Sequence, residues 1–258
     1  MHAGSEIENP ADPKMTTLAL TGKSALVTGG ARRIGRAIAL SLARAGADVS
    51  ITYRSSATDA NETIQQIKNL GRKAQAIPCE VRSEQAIHEA VAKTVSLHGR
   101  IDVLVNNAAL YEAASLDQMT LEQWDRMFET NARGPFLFAR ETIAHLRAVR
   151  GRIINLGSLG GINAWPTHGH YCASKAAVHM LSEVMAKAFA PEVAVNCVAP
   201  GWIDQHDKGE EMAAHYAAKT PMRRNGTAED IAEAVLFFAA HASFVTGQTL
   251  VVDGGLSL

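Results

Sequence analysis

Residues 24–36 read SALVTGGARRIGR, and their pattern is the strongest indication of the fold. The short apolar run at 24–28 predicts a buried strand, and the amphipathic pattern at 34–45 predicts a helix directly after it. The glycine-rich turn between them lets the backbone approach a pyrophosphate, and the helix N-terminus offers free N–H groups and a partial positive charge to that anion. Such turns are also common where a chain needs a positive φ, so this motif alone is weak support for a dinucleotide site.

Strand and helix patterns alternate along the rest of the chain. Short β-rich runs predict further strands at 48–53, 73–78, 101–106, 152–156, 193–199 and 249–252. Longer runs of helical period predict helices at 57–70, 83–98, 120–148, 170–190 and 228–240. Because strands separated by helices cannot be joined by hairpins, right-handed crossovers must build a parallel sheet covered on both faces. The predicted fold is α/β, Rossmann-type and doubly wound, and its ligands should bind beyond the carboxyl ends of the strands.

Length and composition favour one domain. The chain has 258 residues, of which 47% are apolar and 20% are charged, which is ordinary for a globular protein. No repeat, linker or compositional break marks a second domain, so one domain is expected over residues 18–258. Residues 1–17 are polar and include Pro10 and Pro13, which predicts a flexible N-terminal tail in which Met15 is a candidate natural start.

Charge, hydropathy and cysteine content argue against several kinds of partner. The formal net charge is −1 and the basic residues form no dense patch, so no nucleic-acid partner is expected. No apolar run approaches the roughly 20 residues that span a bilayer, and the N-terminus lacks a basic region followed by an apolar stretch, so no membrane is expected. The three cysteines, Cys79, Cys172 and Cys197, have no paired spacing, and a cytoplasmic protein is expected.

The end of the second predicted strand indicates which dinucleotide binds. NAD sites usually place an acidic residue there, roughly 20 positions after the turn, to hold the ribose 2′-hydroxyl. Residues 53–56 of this chain read YRSS, without a carboxylate. Arg54, with Arg32 or Arg33 from the first turn, could bracket a 2′-phosphate while one of the serines donates a hydroxyl. NADP(H) is therefore predicted, and a solvated turn is the alternative interpretation.

A third junction, Asn106-Asn107-Ala108-Ala109, follows the strand predicted at 101–106. Its small residues leave room for an adenine ring or a ribose, and its asparagine amides can tie neighbouring strands together. By itself this junction could equally be a structural turn.

A candidate proton donor opens the helix predicted at 170–190. Tyr171 and Lys175 are four residues apart, so their side chains share one face of the helix. A free phenol with a pKa of about 10 is a poor acid–base catalyst at neutral pH, but a nearby cation favours the phenolate and lowers that pKa. The pair is therefore predicted to shuttle a proton, although surface pairs with this spacing are also common.

Two further residues support a catalytic role for this pair. Ser158 follows the strand predicted at 152–156, where its hydroxyl can donate a hydrogen bond to a substrate carbonyl oxygen and stabilise the charge that grows on it. Asn131 precedes the Gly134-Pro135 pair, which should kink its helix. A distorted helix leaves carbonyl groups free to hold a water molecule.

Together these motifs resemble the short-chain dehydrogenase/reductase family, in its short single-domain branch. The resemblance extends from about Leu20 to Gly255. It rests on the turn at 28–35, Asn106-Asn107-Ala108, Asn131, Ser158, Tyr171, Lys175, Pro200-Gly201, Thr246-Gly247-Gln248 and Asp253-Gly254-Gly255. Among family members, the pattern is most similar to 3-oxoacyl-carrier-protein reductases and general carbonyl reductases, and pteridine reductases come second.

The resemblance implies seven strands in the order 3-2-1-4-5-6-7 and, commonly, a homotetramer, with a homodimer as the alternative. It implies hydride transfer between NADP(H) and the carbonyl or alcohol carbon of a small molecule. The implied catalytic residues are Asn131, Ser158, Tyr171 and Lys175, of which Lys175 also binds the nicotinamide ribose and Asn131 holds a water in a proton relay. The residues expected to contact the cofactor are Gly29, Arg32, Arg33, Ile34, Gly35, Tyr53, Arg54, Ser55, Ser56, Glu80, Val81, Asn107, Ala108, Ala109, Tyr171, Lys175, Pro200, Gly201 and Ile203.

Two positions depart from the family pattern. Arg33 stands where the family's turn has its middle glycine, which is similar to the variant in pteridine reductases and some relatives. After Pro200-Gly201, the family often has a threonine for the carboxamide of nicotinamide, whereas this chain has Asp204-Gln205. The backbone of Ile203 is expected to contact that carboxamide instead.

The substrate is not identified by the residues near the site. The segment 201–224 matches the mobile substrate lid of the family and contains Trp202, His206, His215 and Tyr216. No carboxylate or cysteine completes a ligand set with His168 and His170, so no metal is expected. A non-catalytic sensor of NADP occupancy is a competing hypothesis, but a sensor needs no proton shuttle.

Overall fold

The protein is built around one parallel β-sheet. A computed structural model describes residues 18–204 and 209–258, so the tail predicted at 1–17 lies outside the described residues. The strands are β1 Ser24–Val27, β2 Asp48–Tyr53, β3 Ala74–Pro78, β4 Val103–Asn106, β5 Arg152–Leu156, β6 Ala194–Pro200 and β7 Thr249–Val252. They lie in the order β3-β2-β1-β4-β5-β6-β7, and every neighbouring pair is parallel. The predicted sheet and its strand order are confirmed.

Helices connect the strands and cover both faces of the sheet. They are α1 Arg33–Arg44, α2 Ala57–Asn69, α3 Glu84–His98, α4 Leu121–Phe128, α5 Gly134–Val149, α6 Gly169–Phe189, α7 Glu210–Lys219 and α8 Ala228–Leu236. The helices predicted at 57–70, 83–98 and 170–190 agree with α2, α3 and α6 to within one residue at each end. Local signals explain this agreement: the Ser83 side chain caps α3 at its start, and Gly99 ends it in the left-handed conformation.

Two apolar clusters enclose the sheet. Successive residues of a strand point to opposite faces, so Leu26 and Val27 of β1 belong to different clusters. The cluster that contains Val27 includes Ile38 of α1, whereas the cluster that contains Leu26 includes Phe138 of α5. Because helices cover both faces, the carboxyl ends of the strands are left as the open edge for a ligand.

The helix predicted at 120–148 is interrupted. Between α4 and α5 the chain forms a π-helical segment, Glu129–Arg133, in which the N–H of Gly134 donates to the carbonyl of Glu129. An uninterrupted α-helix would pair the Asn131 carbonyl with the N–H of residue 135, which is a proline and has none. The predicted distortion is therefore present, and it takes the form of a widened turn.

The C-terminal part differs from the sequence prediction at two points. The pattern predicts one helix over 228–240, but α8 ends at Leu236 and continues as a second π-helical segment, Phe237–His241. Helix α7 lies in the predicted lid, where every side chain of this helix is at least partly exposed, so no apolar stripe marks it in the sequence. Among the described helices, none has both the length and the apolar content to cross a membrane.

Buried amides join the carboxyl ends of the central strands. The Asn106 amide nitrogen donates to Oδ1 of Asn155 at 2.8 Å, and the Asn155 amide nitrogen donates to Oγ of Ser182 on α6 at 2.8 Å. The Asn107 amide nitrogen donates to the carbonyl of Thr28 at 2.9 Å. Strands β1, β4 and β5 and helix α6 are therefore held in one register where the site opens, as the asparagine-rich junction predicts.

Candidate active site

A cavity of about 580 Å³ opens beyond the carboxyl ends of the strands. Every residue predicted to contact the cofactor lines it, from Gly29 in the first turn to Ile203 after β6. Ser158, Tyr171 and Lys175 line it as well, whereas Asn131 is buried beside the lining residue Thr130. The fold thus gathers these side chains in one place, while their individual roles stay predictions.

The first turn is shaped to receive an anion. Gly29 has a φ of +64°, which glycine adopts without strain. A Cβ atom at Gly35 would lie 2.6 Å from the Asn107 amide nitrogen, so only glycine lets α1 begin this close to β4. The first turn of α1 contains two arginines and no acid, which leaves the positive end of the helix unneutralised. These residues fit a pyrophosphate at the helix N-terminus.

Arg33 occupies the position where the family has a glycine, and its backbone has a glycine-like conformation. Its φ of +52° lies in the left-handed region, which costs a residue with a side chain roughly 1 kcal/mol. The turn therefore adopts the conformation that a glycine would favour, and the guanidinium group is added to the cavity wall.

Positive charge dominates the end of the cavity beyond β2. Arg54 and the two serines after it line this end together with Arg32 and Arg33. Glu80 lines it too, and its side chain bonds to Arg82 at 3.1 Å. That hydrogen bond, with the nearby charge of Arg54, lowers the pKa of Glu80, so its carboxylate is ionised and already paired. Arginines therefore outnumber unpaired carboxylates at this end, which favours the binding of an additional anion.

Tyr171 lies in the first turn of α6 between two other aromatic rings. The ring of Tyr111 meets it edge-on at 4.9 Å between centroids, and the ring of Trp165 is nearly parallel to it at 6.0 Å. Burial raises the pKa of Tyr171 to about 12, and hydrogen bonding to the Ser158 hydroxyl offsets part of that increase. The expectation that this pKa falls beside Lys175 is therefore wrong: in this structure the pKa is raised.

The position of Lys175 explains why it does not lower the pKa of Tyr171. Its ammonium nitrogen donates to the carbonyl oxygen of Leu156 at 2.7 Å and lies 5.9 Å from the centroid of the Tyr171 ring. The cation is thus bonded to the end of β5 rather than to the phenol. Burial also lowers the pKa of Lys175 to about 8, so the charge itself is weakly held.

Ser158 follows β5 in an extended conformation and begins a short 3-10 helix, Leu159–Gly161. Its Oγ accepts a hydrogen bond from the N–H of Gly160 at 3.0 Å, and the same hydroxyl interacts with the phenol of Tyr171. Its backbone N–H donates to Nε2 of His179 on α6 at 3.3 Å. The backbone of Ser158 and its side chain are therefore each held by a hydrogen bond.

Asn131 acts in this structure as a buried connector. Its Oδ1 accepts from the N–H of Leu110 at 2.7 Å, and its Nδ2 donates to the Leu110 carbonyl at 3.0 Å and to Oγ of Ser174 at 3.0 Å. Ser174 in turn donates to the carbonyl of Tyr171 at 2.8 Å. The side chain thus joins the π-helical segment, the loop after β4 and the start of α6.

The two histidines before Tyr171 have different surroundings. The ring of His168 stacks on Tyr111 at 4.8 Å, whereas His170 is fully buried with its Nε2 3.8 Å from a carboxylate oxygen of Glu112. Within residues 18–204 and 209–258, no group of three or more His, Cys, Asp or Glu side chains is placed to hold a metal ion.

Some residues that line the cavity carry no signal in the sequence. Tyr111 is the clearest case, because no motif or periodic pattern marks it and only the fold brings it to Tyr171. Trp202, which the sequence places in the predicted lid, also lines the cavity and stacks on Tyr216 of α7 at 4.0 Å, so the lid borders the cavity. His206, predicted in that lid, lies outside the described residues.

Comparisons with known proteins agree with this geometry. The sequence profile of the family described as "Enoyl-(Acyl carrier protein) reductase" matches residues 29–257. A 3-oxoacyl-[acyl-carrier-protein] reductase of Staphylococcus epidermidis is 37% identical, with 91% of this chain and 98% of the relative covered. A blue fluorescent protein from a metagenomic library, solved in complex with NADPH, is 35% identical with a TM-score of 0.88 over 93% of this chain and 100% of that one. A 7α-hydroxysteroid dehydrogenase, solved with NADH and 7-oxo glycochenodeoxycholic acid, is 32% identical with a TM-score of 0.88 over 93% and 96%.

A parallel sheet of this order, with a glycine-rich turn and a tyrosine–lysine pair at its open edge, defines a dinucleotide-dependent oxidoreductase. The chain belongs to the short-chain dehydrogenase/reductase family. Relatives of similar identity are named for different substrates, and their structures hold NADPH in one case and NADH in another.

Proposed function

We propose that the protein is an NADP(H)-dependent reductase of small carbonyl compounds, most similar to 3-oxoacyl-[acyl-carrier-protein] reductases and general carbonyl reductases. The observation that carries this proposal is that Ser158, Tyr171 and Lys175 border the same cavity as the glycine-rich turn. The relative of Staphylococcus epidermidis, whose name gives a 3-oxoacyl substrate, supports this substrate class at 37% identity.

The preference for NADP(H) over NAD(H) is inferred from charge. Arg32, Arg33 and Arg54 line the cavity where β2 ends, and the sequence there has no acidic residue to hold a ribose 2′-hydroxyl. A 2′-phosphate would gain charge-assisted hydrogen bonds from these guanidinium groups. The bound NADPH of the metagenomic relative supports the same preference.

The cofactor, when bound, supplies the hydride. In the proposed reaction the Ser158 hydroxyl donates a hydrogen bond to the substrate oxygen and stabilises its growing negative charge. Tyr171 donates its phenolic proton to that oxygen, and its raised pKa favours the protonated form needed for reduction. Lys175 binds the nicotinamide ribose, and Asn131 supports a relay that returns a proton to Tyr171.

A second candidate is reduction of a conjugated ring such as a quinonoid dihydropterin. Aromatic side chains favour it, because Tyr111, Trp165 and Trp202 all line the cavity and supply aromatic surface for a planar ring. Arg33 also favours this candidate, because it replaces the middle glycine of the family's turn, which is similar to the variant in pteridine reductases.

The functional unit is proposed to be a homotetramer, with a homodimer as the alternative. Large apolar side chains on the outer faces of α5 and α6 support an assembly, among them Phe136, Met180 and Val184, which are exposed by 43%, 58% and 54%. Light scattering on the purified protein measures the mass directly. The cytoplasmic location expected from the sequence stays a prediction.

The proposed function is tested by following NADPH absorbance with a panel of substrates. The panel contains an acetoacetyl thioester, a quinonoid dihydropterin, a diketone and a sugar, each assayed with NADPH and with NADH. Turnover of the thioester or diketone with NADPH is expected. Faster reduction of the dihydropterin would select the second candidate, and tight NADPH binding without turnover of any compound would favour a sensor instead.

A further inference from the structure

One face of helix α6 contacts the end of β5 over consecutive turns. Tyr171, Lys175 and His179 are spaced four residues apart, so they lie on that face. Lys175 donates to the carbonyl of Leu156 at 2.7 Å, and His179 accepts through Nε2 from the N–H of Ser158 at 3.3 Å. His179 therefore contacts the backbone of the residue whose hydroxyl interacts with Tyr171.

The loop around Ser158 is built to fit the imidazole ring of His179. A Cβ atom at Gly157 would collide with Nε2 of this ring, and a Cβ atom at Gly161 would lie 2.7 Å from its Cε1. His179 is only 9% exposed, so the ring is enclosed by this loop and by its own helix. Two glycines flanking Ser158 thus leave the space that one histidine fills.

The hydrogen bond defines the charge state of the ring. Because Ser158 donates, Nε2 must be unprotonated, and a neutral ring then carries its proton on Nδ1. The titratable groups beside it are Lys175 on its own helix and Cys197, whose Sγ faces Gly157 from β6. Burial and the charge of Lys175 both lower the pKa of His179, which keeps the accepting form at neutral pH.

We propose that His179 is a positioning residue for the reaction, and that it holds the Ser158 backbone so that the Ser158 hydroxyl faces the substrate oxygen. This inference rests on the proposed carbonyl reductase function. His179 lies behind the Ser158 backbone rather than among the described side chains that line the cavity, so it acts through Ser158 and does not touch the cofactor site.

The test compares two variants that differ in the acceptor. His179→Leu fills much of the space without an acceptor and leaves the Ser158 N–H buried and unpaired. His179→Gln can place its Oε1 near the position of Nε2. The expected result is a fall in kcat of at least about tenfold for His179→Leu, recovery to within about threefold of wild type for His179→Gln, and an unchanged Kd for NADPH in both.

A double-mutant cycle distinguishes positioning from general structural support. If His179 acts through Ser158, His179→Leu has little further effect on kcat in a Ser158→Ala background. A purely structural role would give the same fold loss in both backgrounds. The pH dependence of kcat gives a second readout. Protonation of His179 removes the acceptor as the pH falls, so kcat of wild type should fall at acidic pH. His179→Gln has no such group and should not show this fall.

Hydrogen exchange tests the contact without any turnover. Amides in residues 157–161 should exchange faster in His179→Leu than in His179→Gln, and equal exchange would overturn the inference. Wild-type kcat in His179→Leu, or equal losses in both backgrounds, would overturn it while leaving the proposed function intact. A wild-type level of turnover in Ser158→Ala would instead count against the proposed function itself.

Discussion

The ammonium group of Lys175 is bonded to the carbonyl oxygen of Leu156 at 2.7 Å, inside the fold and at the end of β5. This contact anchors α6 against the sheet and keeps the cation beside the cavity. It also places a charge where water is largely excluded, and burial lowers the pKa of Lys175 to about 8. The same group thus supports the site and opposes folding while it is protonated.

Because the protonated form of Lys175 opposes folding, the stability of the protein should depend on pH. Between pH 8 and about 10 the unfolded chain keeps the Lys175 proton and the folded protein releases it, so the free energy of unfolding rises with pH. Relative to Lys175→Met, which carries no proton, wild type should gain about 2 kcal/mol over this range. Urea unfolding at several pH values measures the difference, and a constant difference would contradict the buried-cation account.

Arg33 offers a test of the first turn. Arg33→Gly and Arg33→Ala both remove the guanidinium group, but only glycine relieves the positive φ of +52°. Arg33→Gly should therefore be more stable than Arg33→Ala by about 0.5–1 kcal/mol. Both variants should bind NADPH equally and more weakly than wild type, as measured by fluorescence titration. A wild-type affinity for NADPH in either variant would show that Arg33 does not contribute to cofactor binding.

Arg54 tests the cofactor preference. Arg54→Asp replaces a cation by a carboxylate at the end of β2, which repels a 2′-phosphate and can accept from a 2′-hydroxyl. The KM for NADPH should rise by at least about tenfold and the KM for NADH should fall. Lys93→Asp, on the exposed face of α3, makes the same change in charge outside the cavity and serves as the control. A wild-type enzyme with a lower KM for NADH than for NADPH would refute the inference.

Asn131 tests the connector at the π-helical segment. Asn131→Ala leaves the N–H and carbonyl of Leu110 without their partner and should cost about 2–4 kcal/mol of stability. Turnover should also fall, because Leu110 lines the cavity. Ser174→Ala removes one of these bonds together with the bond from Ser174 to the Tyr171 carbonyl, and should cost about 1–2 kcal/mol. Thermal unfolding compares the two, and equal losses would show that the Leu110 contacts contribute little.

Much of the architecture could be predicted because local patterns and global fold agree. Strands such as Asp48–Tyr53 are short runs rich in β-branched residues, and the parallel arrangement follows from the helices between them. The cavity residues follow from the same logic, since parallel strands deliver their carboxyl ends to one edge. The kink near Asn131 could be expected from Pro135, although its π-helical form could not.

Other properties depend on burial and on neighbours distant in sequence. The sequence predicts that the pKa of Tyr171 falls beside Lys175, but burial raises it, and the Lys175 cation is bonded to Leu156 instead. Tyr111 reaches Tyr171 only through the tertiary fold. For His179, the sequence shows only a spacing of four residues from Lys175. That spacing places both on one face of the helix but does not indicate which backbone group His179 contacts.

The role of Tyr171 as proton donor is tested by the turnover of Tyr171→Phe, measured together with its affinity for NADPH. Phenylalanine keeps the ring between Tyr111 and Trp165 and removes only the proton donor. We expect kcat to fall by at least about a hundredfold while the Kd for NADPH stays close to that of wild type. Undiminished turnover in Tyr171→Phe would contradict the account.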